Sequence, residues 1–328
     1  MTPLALDSSQ VEERLGPLQR LEALCDHGSI QPVRGAVRSR RMGDRASAGD
    51  GVVGATGTVD GRPLACFAQD PSYLGGSLGE VHADTICAVL EHAGRARIPV
   101  VGFIESAGAR LQEGVAALGG YARIFRAHTA LSGQVPQISV ICGASAGGGS
   151  YAPALTDIVV MTKRASMFLT GPGVVQEVTG EQVDGAKLGG IIRHGAKLVH
   201  AFAAASVPRL TLVMRKAYGG AFIAMNGRDL GADLALAWPS AQIGVMGATQ
   251  AVNLVNRRDI AAADDPELAR TELADRYAAE HLTAESAAAE GVIDEIVEPV
   301  ATRARLAGAL RTLANPERPA RPARNIPL

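Results

Sequence analysis

An internal repeat constrains the fold more than any other feature of the sequence. The segment 136–148 begins PQISV and ends in two glycines, and the segment 208–220 begins PRLTL and also ends in two glycines. The offset between the two segments is 72 residues (136 to 208), and Asp157 and Asp229 keep the same offset. We therefore expect one structural unit, a strand followed by a glycine turn, a helix and another strand, to occur twice.

The sequence before the repeat alternates between extended and helical patterns. Residues 11–28 have a helical spacing of leucines, and residues 52–70 predict a hairpin that turns at Asp60-Gly61. A helix pattern at His82–Arg95 and a buried strand pattern at 98–106 come next. This alternation predicts an α/β layered fold.

Charge and composition exclude several classes of function. The formal net charge is −1, from 32 basic and 33 acidic residues, so the chain has no overall attraction to nucleic acid or to a membrane surface. No apolar run reaches the length of a membrane span, and residues 1–29 contain no signal-peptide core. Four cysteines without a C-x-x-C pair predict reduced thiols in a cytoplasmic protein, with no metal in this chain. They are Cys25, Cys66, Cys87 and Cys142.

Residues 143–147 read GASAG and match the G-x-S-x-G pattern of a hydrolase nucleophile elbow. At the position of Ser145 the second copy has Ala217, whereas the paired glycines recur. This difference favours backbone N–H groups as the chemically active part, because two adjacent N–H groups aimed at one point stabilise an oxyanion. Close packing of a helix against the sheet is the alternative explanation of the glycines.

The G-x-G-x-x-G pattern at 49–54 precedes a strand pattern instead of following one. A dinucleotide-binding turn requires the opposite order, so this motif predicts no nucleotide site.

The sequence resembles the carboxyltransferase β subunits of acyl-CoA carboxylases, the acetyl-/propionyl-CoA carboxylase group. Nine segments distributed along nearly the whole chain carry the resemblance. They are GGSLGEVHA, ESAGARLQEGVAALGGYARIF, SGQVPQISVICGASAGGGSYAPALTD, TGPGVVQEVTGE, GGIIRHGAKLVHAFA, VPRLTLVMRKAYGGAFIAMN, AWPSAQIGVMGA, EGVIDEIV and RNIPL.

The resemblance implies a crotonase-like fold of the ClpP/crotonase type, a ββα superhelix present in two copies. It implies a near-complete first domain at 1–190 and a partial second domain at 191–328. The implied reaction moves a carboxyl group from carboxybiotin, carried on a biotin carboxyl carrier or biotin carboxylase partner subunit, to the α-carbon of acetyl-CoA or propionyl-CoA, as in fatty acid biosynthesis. It further implies a hexamer in which each active site lies between two chains.

The resemblance also implies the site residues. Gly147 and Gly148 match the first oxyanion site, and Gly220 and Ala221 match the second. One site is expected to bind the thioester oxygen of acyl-CoA as the enolate forms, and the other the ureido oxygen of biotin. Biotin itself is expected to remove the α-proton.

Further residues are expected to contact the substrate. They are Ala107 and Gly108 near the first turn and Gly219 at the second. Ile223 occupies the position at which the family tunes the acyl chain, and it suggests acetyl-CoA or a broader range of acyl groups.

The chain departs from the family pattern in two places. The family's D-S-G-G-A-R is here the segment 105–110, ESAGAR, so that Ala107 adds a methyl group in a tight turn. The segment 187–194, KLGGIIRH, joins two family motifs that are normally separated, so the rear of the first domain and the front of the second are absent. The second copy therefore lacks its leading strands, and its sheet is expected to have an open edge unless another segment covers it.

Three other functions remain compatible with the residues. A single-site crotonase-like enzyme, a decarboxylase or hydratase, would need an acid or base such as Glu105, Glu113 or Glu177, although each is more simply an ordinary surface or helix-terminal carboxylate. An inactive regulatory remnant is the second alternative. A serine hydrolase using Ser145 and His281 is the third, without the H-G-G-G motif that usually accompanies the elbow.

Two further histidines, His194 and His200, share one predicted helix. Their spacing is not that of metal ligands, and we expect packing or surface roles for them.

Overall fold

The computed structural model describes residues 15–169 and 185–313. Its strands are β1 (Gln31–Val33), β2 (Val52–Val59), β3 (Arg62–Gln69), β4 (Val100–Ser106), β5 (Gln137–Ala146), β6 (Ile158–Met161), β7 (Ser166–Phe168), β8 (Leu210–Val213), β9 (Lys216–Tyr218), β10 (Leu234–Ala237), β11 (Gln242–Gly244) and β12 (Glu295–Ile296). Its helices are α1 (Pro17–Leu24), α2 (Glu80–Ala96), α3 (Val115–Leu131), α4 (Gly148–Ala154), α5 (Gly185–Ala204), α6 (Gly220–Ala224), α7 (Ala248–Val255), α8 (Arg257–Ala262), α9 (Pro266–His281), α10 (Ala284–Ala289) and α11 (Thr302–Leu313).

The first half of the chain forms a seven-stranded sheet with the order β1-β2-β3-β4-β5-β6, and β7 also pairs with β5. The strands from β1 to β3 are antiparallel, and those from β3 onward are parallel. The parallel part requires helical crossovers, which α2 and α3 provide. The predicted α/β class is confirmed.

The predicted elements before the repeat are present, with different ends. The hairpin turns at Asp60 and Gly61, both with positive φ, as expected for this dipeptide. The helix predicted at His82–Arg95 is α2, and the strand predicted at 98–106 is β4. Of the helix predicted at 11–28, the described residues form only α1, which is shorter than predicted. It begins at Pro17, and proline is favoured in the first turn of a helix.

The second half forms two small parallel sheets. One has the order β12-β10-β8, and the other pairs β9 with β11. Among the described strands, β8 pairs only with β10, whereas its counterpart β5 lies between β4 on one side and β6 and β7 on the other. The expected open edge of the second copy is therefore β8.

The repeated unit has the same backbone path in both copies. Gly147 has φ 55° and ψ −121°, and Gly219 has φ 54° and ψ −133°. Each glycine follows a strand and is followed by a short helix. A positive φ is strained for a residue with a Cβ, which explains why glycine recurs here. The predicted unit of strand, glycine turn, helix and strand is confirmed in both copies.

The predicted equivalence of Asp157 and Asp229 is wrong. Asp157 accepts a hydrogen bond from the backbone N–H of Gln137 at the start of β5, with a distance of 2.8 Å to Oδ2. In the second copy Asp233 has this role, accepting from the backbone N–H of Arg209 at the same 2.8 Å. The offset thus changes from 72 before the turn (137 to 209) to 76 after it (157 to 233), because the second copy has four more residues there.

The two halves share their principal hydrophobic core. It contains Leu118, Tyr121 and Phe125 of α3 together with Phe222 and Ile223 of α6. The predicted boundary at residue 190 falls inside α5, which packs against α3 and α4 of the first half. The division into domains at 1–190 and 191–328 stays a prediction.

Candidate functional site

The first glycine turn connects β5 to α4. The N–H of Gly147 donates to the carbonyl oxygen of Phe168 at the end of β7, with a distance of 2.9 Å. This bond fixes the turn against the neighbouring strand. Because the Gly147 N–H already has an acceptor, Gly147 shapes the turn and the next amide, that of Gly148, is the first one available to a ligand.

Tightly packed side chains lie beneath this turn. A Cβ on Gly148 would lie 2.5 Å from the Tyr121 ring, and a Cβ on Gly149 would lie 2.9 Å from Oγ of Ser145. The Tyr121 hydroxyl is 3.1 Å from Oγ of Ser106, and burial raises the pKa of Tyr121 to about 12. Packing therefore explains why these two positions lack a side chain. The N–H of Gly149 donates to the Tyr121 hydroxyl, which leaves the amide of Gly148 available to a ligand.

The second turn connects β9 to α6 in the same way. The Gly219 N–H donates to the carbonyl oxygen of Gly244 at the end of β11, over 2.8 Å. A Cβ on Gly219 would lie 2.9 Å from the carbonyl oxygen of Val245, and one on Gly220 would lie 3.3 Å from Cε2 of Tyr151. Ala221, the next residue, is exposed.

The amides that come after each turn occupy the first positions of a helix, where no carbonyl of the same helix can accept from them. Within the described ranges, no residue accepts a hydrogen bond from the N–H of Gly148, Gly220 or Ala221. Each turn thus presents at least one free donor, which is the arrangement needed to stabilise a developing oxyanion.

The segment with Ala107 and Gly108 lies beside the first turn. A Cβ on Gly108, which has φ 97°, would lie 3.4 Å from the carbonyl oxygen of Ala146. The N–H of Ala107 donates to the Gly75 carbonyl oxygen at 3.0 Å, and that of Gly108 to Oγ of Ser106 at 3.2 Å. The structure places both residues near the turn with their amides already bonded. The methyl group of Ala107 is tolerated because its φ is not positive.

A buried ionic network holds this segment in place. Arg110 donates to Asp50 Oδ1 at 2.6 Å and to Glu113 Oε1 at 2.7 Å, and all three side chains are buried. Burial raises the pKa of the Asp50 carboxyl, although the Arg110 charge opposes this shift. The glycine motif at 49–54 therefore contributes an ion pair to the core and is not a nucleotide turn. Sequence reasoning missed this network and the rings of Tyr121 and Tyr151, whose only signal was their presence in the matching segments.

The interpretation of Glu105 and Glu113 as surface carboxylates is wrong, because their exposures are only 3% and 5%. Glu113 is helix-terminal, as the alternative had it, since it ends a short 3-10 helix (Leu111–Glu113) and its Oε2 accepts a hydrogen bond from the N–H of Glu80 at the start of α2, at 2.8 Å. Glu105 forms an ion pair with Arg20 at 2.7 Å, and Glu113 pairs with Arg110. Both carboxylates are thus held by buried arginines and serve the fold. Glu177 lies outside the described residues.

The other candidates have packing or surface positions. Ser145 is fully buried, and its hydroxyl donates to the Gly149 carbonyl oxygen at 2.7 Å, so it is not placed as a nucleophile. Ile223 is 2% exposed and packs in the shared core. Of the three histidines considered from the sequence, His194 and His281 are exposed and His200 is buried.

The comparisons with known proteins agree with this geometry. The family described as Carboxyl transferase domain matches residues 10–191 and 185–326. The chain belongs to this family. It is a carboxyltransferase β subunit of the acyl-CoA carboxylase group, and the crotonase-like fold expected from its motifs is confirmed.

Individual relatives cover nearly the whole chain. The methylmalonyl-CoA carboxyltransferase 12S subunit of Propionibacterium freudenreichii subsp. shermanii is 31% identical, over 93% of this chain and 90% of its own. A putative propionyl-CoA carboxylase beta chain of Bacillus subtilis (strain 168) is 31% identical, over 85% of this chain and 87% of its own. A crystal structure of the transcarboxylase 12S hexamer with methylmalonyl-coenzyme A bound has a TM-score of 0.52 at 31% identity, covering 96% of this chain and 92% of the other.

The alignment with the 12S subunit extends over 471 positions, more than the 328 residues of this chain. The relative therefore has residues that this chain lacks. The two family matches meet at 185–191, which is where the sequence indicates the missing segment.

Clustered metal ligands and membrane-spanning helices are not found in the described residues. The part of the chain that the structure describes has no group of three or more His, Cys, Asp or Glu side chains able to hold a metal ion. In the same residues, every helix is too short or too polar to cross a membrane.

Proposed function

We propose that the chain is the carboxyltransferase subunit of a biotin-dependent acyl-CoA carboxylase and that its two glycine turns are the two oxyanion sites. The observation that carries this proposal is the repeated turn. Gly147 and Gly219 have nearly the same backbone angles, and each is followed by at least one amide that has no described acceptor, Gly148 after the first turn and Gly220 and Ala221 after the second. A reaction with two developing oxyanions needs two such sites, and a protein with a single oxyanion step would need only one.

In this reaction the N–H of Gly148 stabilises one oxyanion and those of Gly220 and Ala221 stabilise the other. Carboxybiotin, carried by a partner subunit, supplies the carboxyl group and, once its N–C bond has broken, the ureido base that accepts the α-proton. The acyl-CoA loses that proton, and its α-carbon forms the new C–C bond. No side chain of this chain has to act as the base, which agrees with the ion-paired state of Glu105 and Glu113.

We further propose a small acyl-CoA substrate, acetyl-CoA or propionyl-CoA. The named relatives act on methylmalonyl-CoA or propionyl-CoA, both of which carry short acyl groups. Ile223 acts on acyl-chain length through the packing of α6, because its side chain is buried beneath the second turn. A carrier or biotin carboxylase subunit as partner and a hexamer of this chain belong to the same proposal.

The experiment is the reverse half-reaction, the carboxylation of free biotin with malonyl-CoA or methylmalonyl-CoA as the donor. It requires no partner subunit, and it uses both oxyanion sites. We expect turnover that is lost when Gly148 or Gly220 is replaced by valine. Acyl-CoA binding without carboxylation of biotin by the folded wild-type protein would contradict the proposal and favour a single-site crotonase-like enzyme or an inactive remnant.

A further inference from the structure

Strand β6 is an exposed apolar edge of the large sheet. Its four residues, Ile158–Met161, are each between 42% and 52% exposed, and among the described strands β6 pairs only with β5. Its counterpart in the second copy is β10, which has β8 on one side and β12 on the other, and three of its four residues are buried. The first copy therefore has a place beside β6 for a further strand, and no described strand occupies it.

The bonds between β6 and β5 show which backbone groups of β6 point outward. The N–H of Thr162, directly after the strand, donates to the carbonyl oxygen of Ile141 in β5 at 3.1 Å. Because successive residues of a strand alternate in direction, Val160 also faces β5, whereas the N–H and C=O groups of Val159 and Met161 point away from it. Outward-pointing groups of this kind are a template for pairing with another chain.

Opposite charges lie at the two ends of this edge. Asp157 precedes β6, Lys163 follows it, and both side chains are exposed. When a two-fold axis relates two molecules through the same strand, the two strands run antiparallel, so the start of each lies beside the end of the other. With Val160 on the axis, Val159 of each molecule pairs with Met161 of the other. The same register brings each Asp157 beside Lys163 of the other molecule.

Charge selects this register over its neighbours. A shift by two residues is the smallest that keeps outward groups opposite outward groups. It would place Asp157 beside Met161 or Ala165 and would separate it from Lys163. A lysine at a sheet edge ordinarily opposes pairing with another edge, but with Val160 on the axis it meets a carboxylate. The segment 157–163 is therefore self-complementary.

We propose that β6 is the docking surface for a second molecule of this chain, which binds by antiparallel pairing of β6 with β6 about a two-fold axis at Val160. This inference concerns assembly and is independent of the proposed carboxyl transfer. The contact is small, with about four backbone hydrogen bonds from the two pairs of Val159 and Met161. We therefore expect a dissociation constant in the micromolar range for this contact.

Cysteine variants test the register. In a non-hydrogen-bonded antiparallel pair the two Cα atoms are about 4.5 Å apart, a spacing that a disulfide can bridge. Val160→Cys places two thiols in this position, and we expect oxidation with copper phenanthroline to give a covalent dimer on a non-reducing gel. Val159→Cys is the matched control, and we expect at least about fivefold less dimer from it, because each Val159 lies opposite Met161. The unsubstituted chain, oxidised in the same way, detects any bond between native cysteines.

Charge variants test the complementarity. In the Val160→Cys background, Lys163→Glu replaces attraction by repulsion beside Asp157. Two-fold symmetry changes two such pairs at once, so we expect the yield of covalent dimer to fall about tenfold. Arg164→Glu makes the same change of charge one residue further on, opposite Thr156, and we expect its yield to stay within about twofold of the background. Circular dichroism checks that all variants are folded.

Hydrogen exchange tests the unsubstituted chain. We expect the amides of 157–163 to exchange more slowly in concentrated than in dilute protein, because those of Val159 and Met161 are bonded in the dimer. Mass spectrometry of the corresponding peptide measures this difference. Both this experiment and the gel report on the β6 contact whatever the size of the assembly.

Four results would overturn the inference. Equal dimer yields from Val160→Cys and Val159→Cys would indicate random collisions, and a yield unchanged by Lys163→Glu would exclude the charge pairing. Preferential bonding of Val160→Cys to Leu212→Cys in an equimolar mixture would make β8 the occupant. Equal protection of 157–163 at every concentration, without a covalent dimer, would show that the chain covers its own edge. If the wild-type protein carboxylates no biotin, the proposed function fails, and these measurements still decide whether β6 binds a second molecule.

Discussion

The two copies of the repeated unit have the same turn in different surroundings. In the first copy β5 is a central strand with neighbours on both sides, whereas in the second copy β8 is an edge strand of a three-stranded sheet. Even so, Gly147 and Gly219 differ by only 1° in φ and 12° in ψ, from 55° and −121° to 54° and −133°. The turn is therefore set locally, by the glycine and by its bond to the next strand, and it does not need the full sheet.

The copies also differ in the connection after the turn. The second copy has four more residues between its glycine turn and the aspartate at the start of its next strand (147 to 157 against 219 to 233). Part of this longer connection is the segment with Asp229, which packs on α3. The inserted residues thus contribute to the contact between the copies and not to the repeated unit itself.

The strongest test of the comparison is Gly148→Ala against Gly220→Ala. The new Cβ would lie 2.5 Å from the Tyr121 ring in the first copy but 3.3 Å from Tyr151 in the second. We expect Gly148→Ala to lower the free energy of unfolding by about 3 kcal/mol and Gly220→Ala by about 1 kcal/mol, since overpacking scales with the overlap. Urea unfolding measures both, and equal losses would mean that the two turns are packed alike.

The second test uses two buried histidines of the first half. Burial lowers the pKa of His82 to about 3 and that of His128 to about 4, because it disfavours the charged ring. In the unfolded chain each takes up a proton near pH 6.5, at about the ordinary value for histidine. Protonation therefore favours unfolding, and the stability that is present above about pH 6.5 is lost as the pH falls toward the folded values, by up to about 1.4 kcal/mol per pH unit for each histidine.

His128→Gln should remove about half of this slope between about pH 6.5 and about pH 5. Urea unfolding at a series of pH values measures it. An unchanged slope would show that His128 titrates alike in the folded and unfolded chain. The matching position of the second copy is His200, 72 residues further on (128 to 200), so His200→Gln is the paired measurement.

A third, smaller effect tests the corrected register. Asp157→Ala and Asp233→Ala each remove the acceptor of a strand-initiating N–H, and we expect each to lower the free energy of unfolding by about 1 to 2 kcal/mol. Asp229→Ala loses a partly exposed ion pair, for which we expect about 0.5 kcal/mol. If Asp229→Ala matched Asp157→Ala and Asp233→Ala had no effect, the 72-residue register would hold beyond the turn.

The most local effect concerns single amides at the open edge. The carbonyl oxygen of Pro136 accepts a hydrogen bond from the N–H of Val100 in β4. The backbone N–H and C=O groups of every second residue after Pro136, including Val140, therefore point toward β4. The equivalent residue of β8 is Leu212, whose backbone N–H points away from β10. We expect the Leu212 amide to exchange with solvent at least about 100-fold faster than the Val140 amide in hydrogen-exchange NMR. Equal protection would show that another segment or a second chain covers this edge.

The repeat, the glycine turns and the α/β class were predictable because each depends on a local pattern. A position that must adopt a positive φ favours glycine in both copies, and the apolar pattern of the preceding strand recurs as well. The missing segment was predictable for a similar reason, since two motifs that should be apart are adjacent at Gly189-Gly190.

The predictions that were wrong concern residues whose partners are far away in the sequence. The burial of Glu105 depends on Arg20, which is 85 residues away, so nothing in its local sequence marks it as a core residue. The shift from Asp229 to Asp233 was missed because an insertion in a polar connection leaves the apolar pattern unchanged. The contacts of the Phe125 ring with Tyr121 and Tyr151 could not be predicted either, since all three read as ordinary core residues until the fold brings them together.

The open strands have a consequence for how the molecules behave toward one another. At one edge of the large sheet β6 exposes four apolar side chains, from 42% to 52%, and at the other sheet β8 is open. Exposed basic pairs come after both strands, Lys163-Arg164 after β6 and Arg215-Lys216 after β8. Basic residues at a sheet edge oppose pairing with another edge. With a net charge of only −1, colloidal stability depends on these local charges, so added salt, which screens them, will promote association through the strand edges.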